Sequence, residues 1–158
     1  MIGSEIIRKV EEHMPDGSDP TLLVLKAHLL VEEQLIKFTE EIAQNSQHIS
    51  NTKLTFPQRV KILQAFLPIP VPKQFFQAAL LLNKIRNKMA HTLIPEDLQF
   101  LERDFIQKVF ESSCGVATLV VLPHDPHHEK FKTALVMLVV GLSAARSALP
   151  TMLASVKR

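Results

Sequence analysis

A chain of 158 residues has room for one domain with its own core, and 46% hydrophobic content argues against a disordered tail. Its formal net charge of only +2 argues against a broad electrostatic surface for nucleic acid, so any RNA recognition is expected to be local. A single cysteine, Cys114, excludes an internal disulfide, and with no Tyr or Trp the nine Phe carry all aromatic packing.

Residues 4–13 read as a short amphipathic segment ending in "MPDGSDP", where Pro15, Asp16 and Gly17 spell a turn. The opening "MIGSEIIRKVEEHM" reaches acidic residues before any long apolar run, so no signal peptide is expected. Ser18 or Asp19 is placed to cap the next helix, over 20–44, with Pro20 in its first turn. Its expected core arc holds Val24, Leu25, Leu29, Val31, Leu35, Ile36 and Phe38. His28 and Glu32 fall inside that arc, one turn apart. A carboxylate there is costly unless it is paired, so Glu32 is expected to meet Arg86, or else His28 or His91, and hold that side chain's direction, or to reach water at a helix seam.

After the polar stretch "QNSQHISNTK", Thr55 and Gln58 have the spacing of a capping box, predicting a helix over 55–66. "PIPVP" interrupts coiling, and Pro72 opens a helix to His91. Pro95, Glu96 and Asp97 suit the start of another over 95–114, closed by Gly115. "VATLVVL", 116–122, is compatible with a helical extension or a strand; "PHDPHH" reads as a loop, and the last helix is expected over 129–149. Within it, "TALVMLVVGLSAARSAL" is short for a membrane span and contains Arg146, so a buried helix or one shared with a second subunit is expected. The expected fold is all-α, a four- to five-helix bundle, in a cytoplasmic protein without membrane contact. Residues 1–19 form its N-terminal short helix and turn, 20–150 the bundle and 151–158 a C-terminal tail.

"LLNKIRNKMAH", 81–91, concentrates the polar chemistry. Arg86 lies at the margin of an arc formed by Phe75, Ala78, Leu81, Leu82, Ile85 and Met89, so its stem can cover core atoms while its guanidinium reaches a groove. Asn87 and His91 are one turn apart, and Lys84 and Lys88 form a second such pair. The plainer reading is a basic helix end favoured by the helix dipole, and the spacing from Arg to His recurs at Arg8 and His13.

"RNKMAH", 86–91, resembles the arginine–polar–three-residue–histidine motif of the HEPN superfamily, small all-helical proteins that include RNA-cleaving toxins. "LLVLKAHLLVEEQLIKF" resembles the first core helix of such domains. The resemblance implies a homodimer with two motifs facing one cleft and metal-independent cleavage of single-stranded or loop RNA. Arg86 would bind phosphate, His91 would act as acid–base residue, Asn87 would orient groups, and Lys84 and Lys88 would contact RNA. Glu32 and His28 would support them. Neither cofactor nor metal is expected.

The chemistry is self-consistent, because the RNA 2′-hydroxyl is the nucleophile, imidazole moves protons near neutral pH, and guanidinium matches phosphate oxygens. The alternative is a non-catalytic module, either a transcriptional regulator or a toxin-neutralising partner. If the protein is a toxin, a cognate antitoxin is expected. "HDPHHE", 124–129, collects metal-ligating residue types but lacks a second ligand group at recognisable spacing.

Overall fold

The structure, a computed structural model, describes residues 2–15, 19–67, 71–92, 96–112 and 126–156. Those residues form seven helices and no strand: α1 (Ile2–His13), α2 (Pro20–Ile42), α3 (Ser46–Ser50), α4 (Phe56–Phe66), α5 (Lys73–His91), α6 (Leu98–Ser112) and α7 (Pro126–Val156). The expected all-α class holds, but the expected four- to five-helix bundle does not. Two further elements make the difference. The expected N-terminal short helix is α1, and it belongs to the packed core rather than standing outside the bundle: Ile6, Val10 and Met14 are buried, and the helix lies against α7. The polar stretch after α2 contains α3, which packs on α2 alone among its frequent neighbours and buries none of its residues. Apolar periodicity could not reveal a five-residue helix that has no core face.

Local starts follow the sequence chemistry. Asp19 Oδ1 accepts from the backbone N–H groups of Thr21 (2.9 Å) and Leu22 (3.2 Å), satisfying donors that have no partner within α2. At α4 the capping box closes both ways, with Thr55 N–H donating to Gln58 Oε1 at 2.8 Å and Gln58 N–H donating to Thr55 Oγ1 at 3.4 Å. Gly115, Cys114 and the 116–122 segment lie outside the described residues, as do Ser18 and Pro95.

α2 and α7 supply much of the core, with Leu23, Val24, Ala27, Val31, Leu35 and Phe38 facing Leu135, Leu138, Val139 and Leu142 within one buried cluster. α5 packs on α6, α2 and α4, and α6 also packs on α7. Two arcs differ from expectation. Leu25 and Leu29 are exposed, and Ile36 is only half-buried. Because α2 is apolar on nearly every side, its composition does not determine which stripe turns inward. On α5 the buried set is Phe76, Ala78, Ala79, Leu82 and Ile85, while Phe75, Leu81 and Met89 are half-buried.

α7 is longer at both ends than the expected 129–149, and residues 151–156 continue it. Pro126 is its first residue, where the missing N–H costs nothing, and Pro150 lies near the end, where it removes one helical bond. By length and composition, His127–Thr151 is able to cross a membrane; here the helix packs against α1, α2, α5 and α6. Arg146, the cation in this apolar run, is largely buried, with Nε 3.5 Å from Glu41 Oε1.

Gly141 is where α5 approaches α7 most demandingly, since a Cβ there would stand 2.5 Å from Phe75 Cε1. Gly141→Val is therefore expected to destabilise the chain by about 1–3 kcal/mol through overpacking. Gly141→Val with Phe75→Leu should recover part of that loss in urea denaturation; full additivity of the two losses would contradict the contact.

Candidate active site

The polar residues of α5 border its buried face, which is formed by Phe76, Ala78, Ala79, Leu82 and Ile85. Asn83, Arg86 and Asn87 fall at i, i+3 and i+4, so they share one side of the helix. With Ala79 and Leu82 fully buried one turn earlier, Arg86 is half-buried rather than splayed into solvent. Arg86 Nη1 donates to Asn87 Oδ1 at 3.0 Å, which ties the phosphate-binding candidate to its polar neighbour.

Across the seam, His28 of α2 is 6% exposed. Its imidazole stacks on Phe56 with centroids 4.7 Å apart and 22° between planes. Its Nε2–H donates to Asn83 Oδ1 at 3.1 Å, so α2, α4 and α5 meet at one ring. Burial holds the imidazole below its usual value, and the Arg86 charge acts in the same direction. The Asn83 bond and the Glu32 carboxylate oppose them. Glu32 and Arg86 are therefore both felt at His28.

The expected ion pair between Glu32 and Arg86 is not formed among the described residues, since Arg86 turns to Asn87 and half-buried Glu32 bonds neither Arg86 nor His91. Four residues of difference between Glu32 and His28 put the carboxylate beside the imidazole, not opposite the guanidinium.

The last turn of α5 is open. Lys84 and His91 are exposed, and the His91 ring has no hydrogen-bond partner among the described residues. Lys88 Nζ is 2.6 Å from Asp97 Oδ2, and this ammonium holds the Asp97 carboxyl below its usual range. An exposed pair of this kind is weak, so an incoming phosphate is able to compete for Lys88. Arg86 and His91 stand roughly 140° apart around the helix and roughly 7.5 Å apart along it. One chain offers phosphate binding and proton transfer on adjacent faces, not in one pocket.

Sequence reading missed Asn83, although its place one turn before Arg86 and Asn87 signals it. It also missed the role of Phe56 as the stacking partner of His28. In the "HDPHHE" stretch, His124 and Asp125 lie outside the described residues; His127 Nε2 is 2.8 Å from Oε2 of the buried Glu102, which couples the start of α7 to α6.

Because the folded chain holds His28 below its ordinary value of 6.5, the unfolded chain takes up that proton first. Stability is then whole above the unfolded value and falls as pH drops below it, toward the folded value. Denaturation at about pH 7.5 and about pH 5.5 should show this loss, and His28→Gln should flatten it. No protein family, no curated protein and no solved structure matches this chain.

Proposed function

We propose that the protein is a metal-independent endoribonuclease acting on single-stranded or loop RNA, in the setting of a toxin with a cognate antitoxin in the cytoplasm. The observation that carries this reading is the half-buried Arg86 tied to Asn87, with an open His91 one turn beyond Asn87. Arg86 grips the scissile phosphate, and its charge persists as the transition state gains negative charge. His91 removes the 2′-hydroxyl proton or protonates the leaving 5′-oxygen; the bond to that oxygen breaks as the 2′-oxygen closes on phosphorus. The products are a 2′,3′-cyclic phosphate and a free 5′-hydroxyl. RNA supplies the nucleophile, so this scheme calls for no metal.

The angle between Arg86 and His91 favours a homodimer as the acting unit, with one chain's histidine serving the other chain's arginine. Lys84 and Lys88 contact flanking phosphates, and His28 with Glu32 supports the seam beneath Arg86.

The test incubates the purified chain with cellular RNA in EDTA and reads the fragment ends. His91→Ala is expected to lower cleavage by about 10²–10⁴-fold while circular dichroism stays unchanged, because His91 is exposed. Equal background in wild type and variant would sink the enzyme reading. A requirement for added metal would redirect attention to His124, His127 and His128.

A non-catalytic regulator or toxin-neutralising partner is the second reading. It is favoured by Leu22, Leu25 and Leu29, which are exposed on α2 at the i, i+3, i+7 spacing of helix-in-groove recognition.

A further inference from the structure

Among the described residues, two side-chain atoms are sealed from solvent with no hydrogen-bond partner: Gln34 Oε1 and Arg146 Nη1. Both residues line one cavity of about 10 Å³, where α1, α2 and α7 meet and to which α5 contributes nothing. A space of that size holds one water-sized particle.

Gln34 and Ser143, which also lines the cavity, are each 2% exposed, and the Arg146 side chain is 11% exposed. The Ser143 carbonyl accepts from Ser147 Oγ at 2.8 Å, but the Ser143 hydroxyl has no partner of its own among the described residues. Three polar side chains are thus withdrawn from water around one small volume without satisfying one another. Desolvated groups of this kind are costly unless something bonds them, so this corner of the core calls for a ligand.

The charges around the cavity say which kind. Lys9, Lys37 and Arg146 line it against one carboxylate, Glu5, whose side chain is more than half exposed. The closer counter-ions are not part of the lining. Glu33 holds both ammonium groups, 2.5 Å from Lys9 Nζ and 2.7 Å from Lys37 Nζ, and Glu41 Oε1 is 3.5 Å from Arg146 Nε. An ammonium carries three donors and a guanidinium five, so these pairs leave donors over for a shared acceptor. Ser143 adds a hydroxyl, and rotation of the Gln34 amide exchanges its unbonded oxygen for an NH2 group. A water oxygen has only two lone pairs for such a set, whereas a monatomic anion accepts from every side.

We infer that this cavity binds a single small halide, held by Arg146, Ser143 and Gln34, with the part-exposed Lys9 and Lys37 on its outer side. The ion neutralises the arginine buried in the apolar α7 and ties α1 and α2 to that helix. This site is independent of the RNA-cleavage reading.

The test compares the full chain in sodium chloride and in sodium gluconate at one ionic strength, because gluconate is too large for the cavity. Urea denaturation and chloride NMR line broadening are the two readouts. At free chloride about ten times its dissociation constant, the folding equilibrium constant should stand about tenfold above its value in gluconate. Line broadening by the wild type should saturate with chloride. Gln34→Glu supplies an acceptor from the chain itself, so it should remove both the chloride dependence and the broadening while circular dichroism stays helical. Arg146→Gln should do the same, and the wild-type broadening stands even if that variant does not fold. Equal stability in the two salts would leave water in the cavity and overturn the inference. Broadening that never saturates, or a chloride dependence that survives in folded Gln34→Glu, would overturn it as well.

Discussion

Phe105→Ala is expected to cost about 3–5 kcal/mol of folding stability. Phe105 is fully buried on α6 and meets Phe131 of α7 edge to face, with centroids 5.6 Å apart and 73° between planes. Truncation removes a large apolar surface and leaves a cavity, and it also ends an aromatic contact worth about 0.5–1.5 kcal/mol beyond area. For a chain of this size the melting temperature should fall by roughly 6–20 °C. The urea midpoint should drop with little change in slope, since the surface exposed on unfolding is nearly the same. Phe100 is the control: it is two-thirds exposed on the same helix, and Phe100→Ala should stay within about 0.5 kcal/mol of the wild type. A comparable loss from both substitutions would contradict the packing of α6.

The contrast between Phe100 and Phe105 marks what sequence can and cannot reveal. Helix starts were legible wherever a single residue does the work, as at Asp19 and Thr55, because capping is local chemistry. Helix faces were less so. α2 carries leucine on both its inner and outer sides, and only packing against α7 and α5 decides that Leu23 is buried and Leu25 is not. The seven-helix architecture was only partly legible: a short amphipathic first helix was, but its packing on the distant α7 was not, and α3 has no buried residue to signal it.

A legible signal was also left unread. Gln34, Arg59 and Glu102 each interrupt a core stripe at helical spacing, and all three are buried. Polar residues within such stripes need partners, and two of them have one that only the fold reveals: Thr39 for Arg59 and His127 for Glu102. In the same way the 81–91 stretch identified Arg86, Asn87 and His91 as polar chemistry on α5, but not that Asn83 would hold His28. That link depends on the pairing of α2 with α5.

Arg86→Ala should lower RNA cleavage by about 10²–10³-fold if its guanidinium stabilises the charge that develops on the phosphate. It carries a second readout that needs no activity. Arg86 depresses the His28 imidazole and Glu32 raises it, so Arg86→Ala should move the NMR titration of His28 upward and Glu32→Gln should move it downward. Arg86→Lys separates charge from shape. A lysine preserves the positive charge near His28, so the titration should stay close to the wild type. Cleavage should remain impaired, because an ammonium lacks the planar fork that fits two phosphate oxygens. Shifted titrations together with unchanged cleavage would leave Arg86 as a part of the α2–α5 seam and remove it from the reaction. A His28 titration indifferent to both Arg86→Ala and Glu32→Gln would instead show that the three side chains do not share the seam that burial and the Asn83 hydrogen bond define.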